Sequence, residues 1–251
     1  ATVIDLSAYT VTPGLIDCHT HTVFAGTRED EFVQRIEGKS YAEIAQAGGG
    51  IRVTVEAVRR ASLDELVETT LPRLARMLRN GVTTVEVKSG YGLTVDDEIK
   101  MLEAVRRLRS LQPIELAATY LAAHTTPREF NGRSDDYLDL VFDDKVLARL
   151  RDEQLAEFCD VFCETTAFTV EQARRVLTAA KRFGLRPKIH ADQITQMGAS
   201  TLAGELGAIS ADHLEKINDA GIAAMKRVGT VAVMLPGCSW FLGVEHAPAR
   251  R

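Results

Sequence analysis

Long apolar runs and an excess of basic charge are both missing from this sequence of 251 residues. No apolar stretch is long enough to span a bilayer, and the N-terminal residues lack the charged start and apolar core of a signal peptide. The 30 basic and 35 acidic residues are interspersed and give a net charge of −5, which argues against a nucleic-acid-binding surface. We therefore expect a cytoplasmic protein with neither a nucleic-acid partner nor a membrane partner.

Cysteine is scarce, and its spacing does not match a disulfide framework. A chain this long, with 45% hydrophobic residues, can bury a sizeable core without cross-links. We therefore expect all four cysteines to be reduced core residues. They are Cys18, Cys159, Cys163 and Cys238.

A Gly-x-Gly-x-x-Gly turn is also absent, whereas a unit of amphipathic helix, glycine and short apolar strand recurs along the chain. In one such unit Ser62 and Glu65 predict a capping box for a helix over 63–80, and Gly81 ends it. The strands are rich in Val, Ile and Ala without strict alternation, which is typical of a parallel sheet buried on both faces. Seven strands are predicted, at 15–18, 83–87, 115–121, 160–163, 187–189, 209–211 and 230–235.

Seven parallel strands, mostly separated by helices, predict an α/β fold. The natural host is the (β/α)8 TIM-like barrel, which would here be truncated after strand 7. An open doubly wound sheet is the structural alternative. We disfavour it because no glycine-rich phosphate turn follows the first strand.

Histidines lie at the predicted strand ends, where a β/α barrel places its active site. His19 and His21 follow the first strand two positions apart, so their side chains share one face and suit a divalent metal. Taken alone, the pair could equally be two polar residues on a loop. The other histidines at strand ends are His124, His190 and His213, while His246 is predicted to be a solvated surface residue.

Six segments, in order, resemble the imidazolonepropionase family of the amidohydrolase superfamily, which acts in histidine degradation. They are Thr12 to His21 (TPGLIDCHTH), its continuation through Glu29, KSGYGL from Lys88, AHTTP from Ala123, KIHADQ from Lys188 and SADHLE from Ser210. The resemblance runs from about residue 10 to the end of the chain. It implies a barrel of the metal-dependent hydrolase type.

The resemblance also implies a reaction and the residues that carry it. The substrate would be 4-imidazolone-5-propanoate, whose ring amide C–N bond is hydrolysed to N-formimidoyl-L-glutamate. The metal, zinc or iron, would be held by His19, His21 and His190. Substrate binding would fall to Arg28 on the carboxylate and to Tyr91, His124 and Gln193 around the ring, and catalysis to His213 and Gln193.

Each of these roles has a structural alternative. His124 and His213 could be hydrogen-bonded structural residues, Arg28 a surface residue at a helix start, and Tyr91 a packing residue in a turn. Lys88 and Glu164 also follow strands, but interior ion pairing explains them as well. Alternative functions are another cyclic amidohydrolase, a deaminase, or a metal-binding fragment without turnover.

The chain departs from the family at Gln193, where some relatives have Glu. An amide can hold a hydrogen bond but cannot take up a proton, so proton transfer would fall to His213. This departure argues mildly against a deaminase, which would be expected to protonate its substrate through a Glu beside a metal ligand.

No segment after Leu235 resembles the eighth strand, which in the family carries an aspartate as the fourth metal ligand. Residues 1–11 resemble the remnant of a small N-terminal β-domain, and 12–251 an incomplete barrel. We therefore expect a fragment of a chain of roughly 400 residues. Its exposed seam, between strands one and seven, favours a homodimer.

Overall fold

Seven parallel strands form one sheet in the sequential order β1 to β7. The computed structural model describes residues 3–39, 43 and 49–251. All seven predicted strands are present, with ends that differ by a few residues. Their bounds are β1 Leu15–Thr20, β2 Val82–Lys88, β3 Glu115–Ala123, β4 Phe158–Cys163, β5 Arg186–Ala191, β6 Ser210–His213 and β7 Val231–Val233.

The sheet curls into a nearly closed barrel. His19 at the end of β1 lies 2.6 Å from Asp212 of β6, which a flat sheet with five strand spacings between them would prevent. Within the described ranges β1 and β7 are not hydrogen-bonded to each other, and no eighth strand lies between them. The predicted barrel with seven of its strands is therefore confirmed.

Helices cover the outer face of the sheet and follow most strands. The predicted capping box at Ser62 is formed, a second one is formed at Thr169, and Gly207 and Gly229 end their helices in the left-handed conformation. None of the described helices is both long and apolar enough to cross a membrane. The helices are α1 Glu29–Ile36, α2 Ile51–Arg60, α3 Leu63–Arg79, α4 Val95–Leu108, α5 Ser134–Val141, α6 Asp144–Asp152, α7 Val170–Arg182, α8 Ala199–Leu206, α9 Asp219–Val228 and α10 Pro236–Leu242, with a 3₁₀ turn at Arg128–Phe130.

The predicted burial of β1 is wrong. Leu15 and Ile16 are 57% and 66% exposed, because β1 is an outer strand that pairs with β2 alone among the described strands. Cys18 on the same strand is exposed and Cys238 half-buried, so the prediction of four core cysteines holds only for Cys159 and Cys163.

The N-terminal segment bears on the predicted domain division. Residues 3–14 contain no strand and are exposed, whereas residues 1 and 2 lie outside the described part of the chain. The assignment of 1–11 to a small β-domain and of 12–251 to the barrel therefore stays a prediction.

Candidate metal centre and active site

Five histidine rings meet at the carboxyl ends of the strands. Ring centroids lie 5.3 Å apart for His19 and His21, 4.6 Å for His19 and His190, and 5.3 Å for His190 and His213. His124 stacks on His21 with centroids 4.9 Å apart. The sixth histidine, His246, is exposed as predicted. Residues from β1, β3, β5 and β6 thus converge on one point, as the barrel topology requires.

Three of these rings could hold a metal ion. His19, His21 and His190 each offer a ring nitrogen, and the three nitrogens lie within 4.8 Å of one another. Both ring nitrogens of His190 and Nδ1 of His21 are buried and have no hydrogen-bond partner in the described structure. Unpartnered buried nitrogens of neutral imidazoles are the donors that zinc and iron accept. These residues therefore fit a metal of that class.

A second group, His19, Glu86 and Asp212, also brings ligand atoms close together. Two ammonium groups already lie among these carboxylates. Lys88 Nζ is 2.8 Å from Glu86 Oε1 and 3.2 Å from Asp212 Oδ2, and Lys188 Nζ is 2.8 Å from Glu86 Oε1. Because the lysines neutralise these carboxylates, the group has no need of a metal ion.

Beneath the histidines lies a layer of buried carboxylates that the sequence analysis missed. His19 Nδ1 is 2.6 Å from Asp212 Oδ2, and His190 Nδ1 is 2.9 Å from Asp160 Oδ2. A carboxylate behind a ligating histidine sets the tautomer and direction of the ring. The available signal was a charged residue at the end of a short apolar strand, since Asp160 begins the strand predicted at 160–163 and Asp212 directly follows the strand predicted at 209–211.

Burial keeps the rings of His19, His21 and His124 neutral. Burial lowers the pKa of His19 and of His21 well below the usual value, and neighbouring cationic groups lower it further. Burial likewise lowers the pKa of His124 to about 3, although the hydrogen bond to Gly90 opposes this shift. Burial also acts to lower the pKa of Lys88, but Asp160, Asp212 and Glu86 outweigh it and raise that pKa above its usual range. Neutral imidazoles are the form that binds metal.

His213 sits on strained backbone immediately beside the histidine cluster. Its φ is 79° and that of Leu214 is 69°, a left-handed region that residues other than glycine rarely adopt. His213 Nδ1 lies 3.9 Å from a carboxylate oxygen of Glu215, and Ser239 donates a hydrogen bond to that carboxylate. The strained turn aims the imidazole of His213 toward His19 and His190.

Tyr91 and His124 face each other across the opposite side of the cluster. Their ring centroids are 5.5 Å apart, and Tyr91 lies 5.4 Å from His21. The loop that carries Tyr91 is held by the buried carboxylate of Glu98, which accepts hydrogen bonds from the backbone N–H groups of Gly90, Gly92 and Leu93. Tyr91 therefore sits on a firmly anchored loop.

Arg28 and Gln193 occupy less enclosed positions. Arg28 is exposed immediately before α1, with Nε 3.8 Å from Glu31 Oε2. Gln193 is half-buried in the segment between β5 and α8. Their predicted roles toward a substrate stay predictions.

Comparison with known proteins gives one family match and strong sequence relatives. The model of the amidohydrolase family matches residues 10–235. Imidazolonepropionase from Hyphomonas neptunium is 52% identical over 246 residues, covering 98% of this chain and 60% of the relative. Imidazolonepropionase from Myxococcus xanthus is 52% identical over 250 residues, covering 99% of this chain and 59% of the relative. The chain thus spans about 60% of the length of these curated relatives.

Among solved structures, 5-methylcytosine deaminase from Klebsiella pneumoniae liganded with 5-fluorocytosine superposes with a TM-score of 0.68. The match covers 92% of this chain and 55% of the deaminase at 15% sequence identity. At that identity the likeness describes the barrel and carries no argument about substrate.

Proposed function

The chain belongs to the amidohydrolase family, and on this premise we propose that the protein hydrolyses the cyclic amide bond of 4-imidazolone-5-propanoate to give N-formimidoyl-L-glutamate. The observation that carries the proposal is the convergence of five histidines, in a chain about half identical to imidazolonepropionases. Amidohydrolases are metal-dependent, which agrees with the unpartnered ring nitrogens of the cluster.

His19, His21 and His190 would hold the metal, and we propose zinc or iron because imidazole nitrogens suit both. When bound, such a metal acts as a Lewis acid and lowers the pKa of a coordinated water toward neutrality. His19 and His21 meet that role without losing protons, since burial lowers the pKa of both rings well below the usual value.

His213 is proposed to accept and return the proton that is transferred during hydrolysis. Its ring lies beside His19 and His190, with centroids 5.1 Å and 5.3 Å away. A carboxylate near Nδ1 stabilises the protonated imidazole that forms during transfer. The side chain of Gln193 does not titrate and cannot take up the proton, so its amide is assigned a hydrogen bond to the substrate ring.

His124 and Tyr91 are proposed to flank the substrate ring. His124 Nδ1 is 2.9 Å from the carbonyl oxygen of Gly90, which can only accept, so the Nδ1 proton is committed there. The neutral ring then presents Nε2 as an acceptor. We therefore assign His124 to a ring N–H of the substrate.

Arg28 is proposed to bind the propionate of the substrate. Its guanidinium is exposed and only loosely paired with Glu31, so it is free to form a bidentate contact with a carboxylate. Arg28→Ala should then raise KM more than it lowers kcat. Arg79→Ala, an exposed arginine at the end of α3, is the control and should change neither constant. A loss confined to kcat for Arg28→Ala would contradict the assignment.

The function is tested by metal content and turnover of the purified chain. We expect about one zinc or iron per chain, lost on dialysis against a chelator, and hydrolysis of 4-imidazolone-5-propanoate that returns when the metal is restored. His19→Ala should abolish metal retention, whereas His246→Gln should retain it. Full metal retention by His19→Ala would overturn the metal site. Absence of turnover by the metal-loaded chain would overturn the activity.

A further inference from the structure

Two buried lysines, Lys88 and Lys188, lie beneath the candidate metal centre, and the proposed reaction uses neither. We propose that Lys88 is a positioning residue which, through Asp160 and Asp212, holds His190 and His19 in the tautomer that presents Nε2 to the metal. The inference rests on the proposed metal site and adds to it the groups that prepare the site before metal arrives.

The ammonium group of Lys88 contacts three carboxylates. Nζ is 2.7 Å from Asp160 Oδ2, 3.2 Å from Asp212 Oδ2 and 2.8 Å from Glu86 Oε1, and the side chain is fully buried. An ammonium group has three hydrogens to donate. Two of them are donated in hydrogen bonds to Asp160 and Glu86, and Asp212 is held as an ion pair, so all three carboxylates are positioned around this one cation.

The same carboxylates contact the candidate ligands. The Asp212 oxygen that faces Lys88 also lies 2.6 Å from His19 Nδ1, and the Asp160 oxygen that faces Lys88 lies 2.9 Å from His190 Nδ1. An ionised carboxylate can only accept, so His19 Nδ1, which is hydrogen-bonded to Asp212, carries its proton. His190 Nδ1 faces the Asp160 carboxylate at 2.9 Å outside hydrogen-bond geometry, and the negative charge of that carboxylate favours the proton on the same nitrogen. In a neutral ring Nε2 is then left with a lone pair for a metal.

The remaining carboxylate oxygens are held by other parts of the sheet. Asp160 Oδ1 accepts hydrogen bonds from the backbone N–H groups of Val161 and His190, and Asp212 Oδ1 accepts one from the Ser210 hydroxyl. Each carboxylate therefore has one oxygen fixed by strand β4, β5 or β6 and one shared between Lys88 and a histidine. The ammonium group of Lys88 pairs with both of the carboxylates that orient the rings.

The neighbouring lysine does not substitute for Lys88. Lys188 Nζ contacts Glu86 Oε1 and lies 3.4 Å from the carbonyl oxygen of Cys18, away from the two aspartates that face the histidines. Without Lys88, Asp160 and Asp212 would be left as buried anions without a cation. Loss of Lys88 should therefore disturb both histidines together.

The test reads the histidine tautomers of the metal-free chain from ¹⁵N NMR of the ring nitrogens. In the wild-type chain His19 and His190 should both carry the proton on Nδ1. Lys88→Met should shift both rings from that tautomer and weaken zinc binding, measured against a competing chelator, by about 10- to 100-fold. Lys100→Met, which removes another lysine with its own ion pair to Asp97, is the matched control and should change neither measurement.

Two single variants keep the test decisive if Lys88→Met fails to fold. Asp160→Asn should change the tautomer of His190 alone, and Asp212→Asn that of His19 alone. If neither variant moves its own histidine, or if folded Lys88→Met keeps both tautomers and the wild-type zinc affinity, the positioning role is overturned. The tautomers are read without metal or substrate. Correct tautomers without turnover would therefore overturn the proposed function and leave the role of Lys88 standing.

Discussion

The central and outer strands of the barrel have similar apolar sequences but different surroundings. Seven of the nine residues of β3 are buried, whereas none of β1 is, and Val231 of β7 is 57% exposed. A central strand is covered by a neighbour on each side and by helices, while β1 and β7 each have one paired edge. Position in the sheet, more than residue type, decides how much apolar surface is buried.

The candidate metal centre joins these two regions. His190 comes from the buried strand β5, and His19 comes from the exposed strand β1. The inner end of β1 is held by polar contacts across the barrel, from Asp212 to His19 and from Lys188 to the carbonyl of Cys18. Polar contacts thus position the outer strand, whereas apolar packing positions the central strands.

The largest effect should come from a matched pair of isoleucines. Ile189 on β5 is fully buried, and Ile16 on β1 is 66% exposed. Ile189→Ala should lower the free energy of unfolding by about 2–5 kcal/mol, because it removes buried methyl groups and leaves a cavity. Ile16→Ala should lower it by less than about 1 kcal/mol. Urea unfolding measures both, and equal losses would break the distinction between central and outer strands.

A smaller effect is the loss of stability on acidification that comes from His124. The pKa of buried His124 is about 3 when folded and rises to its ordinary value on unfolding, so the unfolded chain binds more protons between these values. The contribution of His124 to the free energy of unfolding is therefore complete above about pH 6.5 and is lost as the pH falls toward 3. Acidification from pH 7 to pH 5 should lower the free energy of unfolding by about 2 kcal/mol through this one ring.

The measurement is urea unfolding of the metal-free chain at the two pH values. His124→Gln should flatten the loss on acidification, whereas His246→Gln, at an exposed site, should keep the wild-type loss. An unchanged loss in His124→Gln would show that this buried ring is not responsible.

The smallest expected effect is a difference in thiol reactivity between an outer and a central strand, measured by chemical labelling that leaves the fold intact. Cys18 on β1 is exposed. Cys163 on β4 is buried, and burial, with Asp192 and Glu164 nearby, raises the pKa of its thiol to about 12. At pH 8 a thiol reagent should modify Cys18 rapidly and Cys163 only after unfolding. Cys18→Ser should remove the rapid reaction and Cys163→Ser should retain it; rapid labelling of Cys163 would contradict its burial.

Much of the fold was predictable because helix caps and glycine stops are local signals. Ser62, Thr169, Gly207 and Gly229 each act within a few residues of the chain, and the predicted capping box at Ser62 is formed. The exposure of Ile16 was not predictable in the same way, because it depends on whether another strand lies beside β1.

In the candidate site, too, residues with a local signal were predictable and residues defined by distant partners were not. Histidines that follow apolar strands were recognisable, since barrel topology brings all strand ends together. Asp160 and Asp212 were missed because a carboxylate within a strand reveals nothing of its partners, and those partners come from strands distant in sequence. Lys88 was set aside as an interior ion pair, which the structure confirms, but its link to two histidines depends on the curvature of the sheet.

The contact between His19 and Asp212 joins residues 193 positions apart. Each strand of the sheet pairs with the next along the chain, so pairing can spread from one unit to its neighbour during folding. That contact must wait until six strands have assembled and curled, since it closes one of the longest loops in the site. Metal binding therefore reports the last step of folding. A metal ion added during refolding should bind only in the final kinetic phase, after most of the helical circular-dichroism signal has returned.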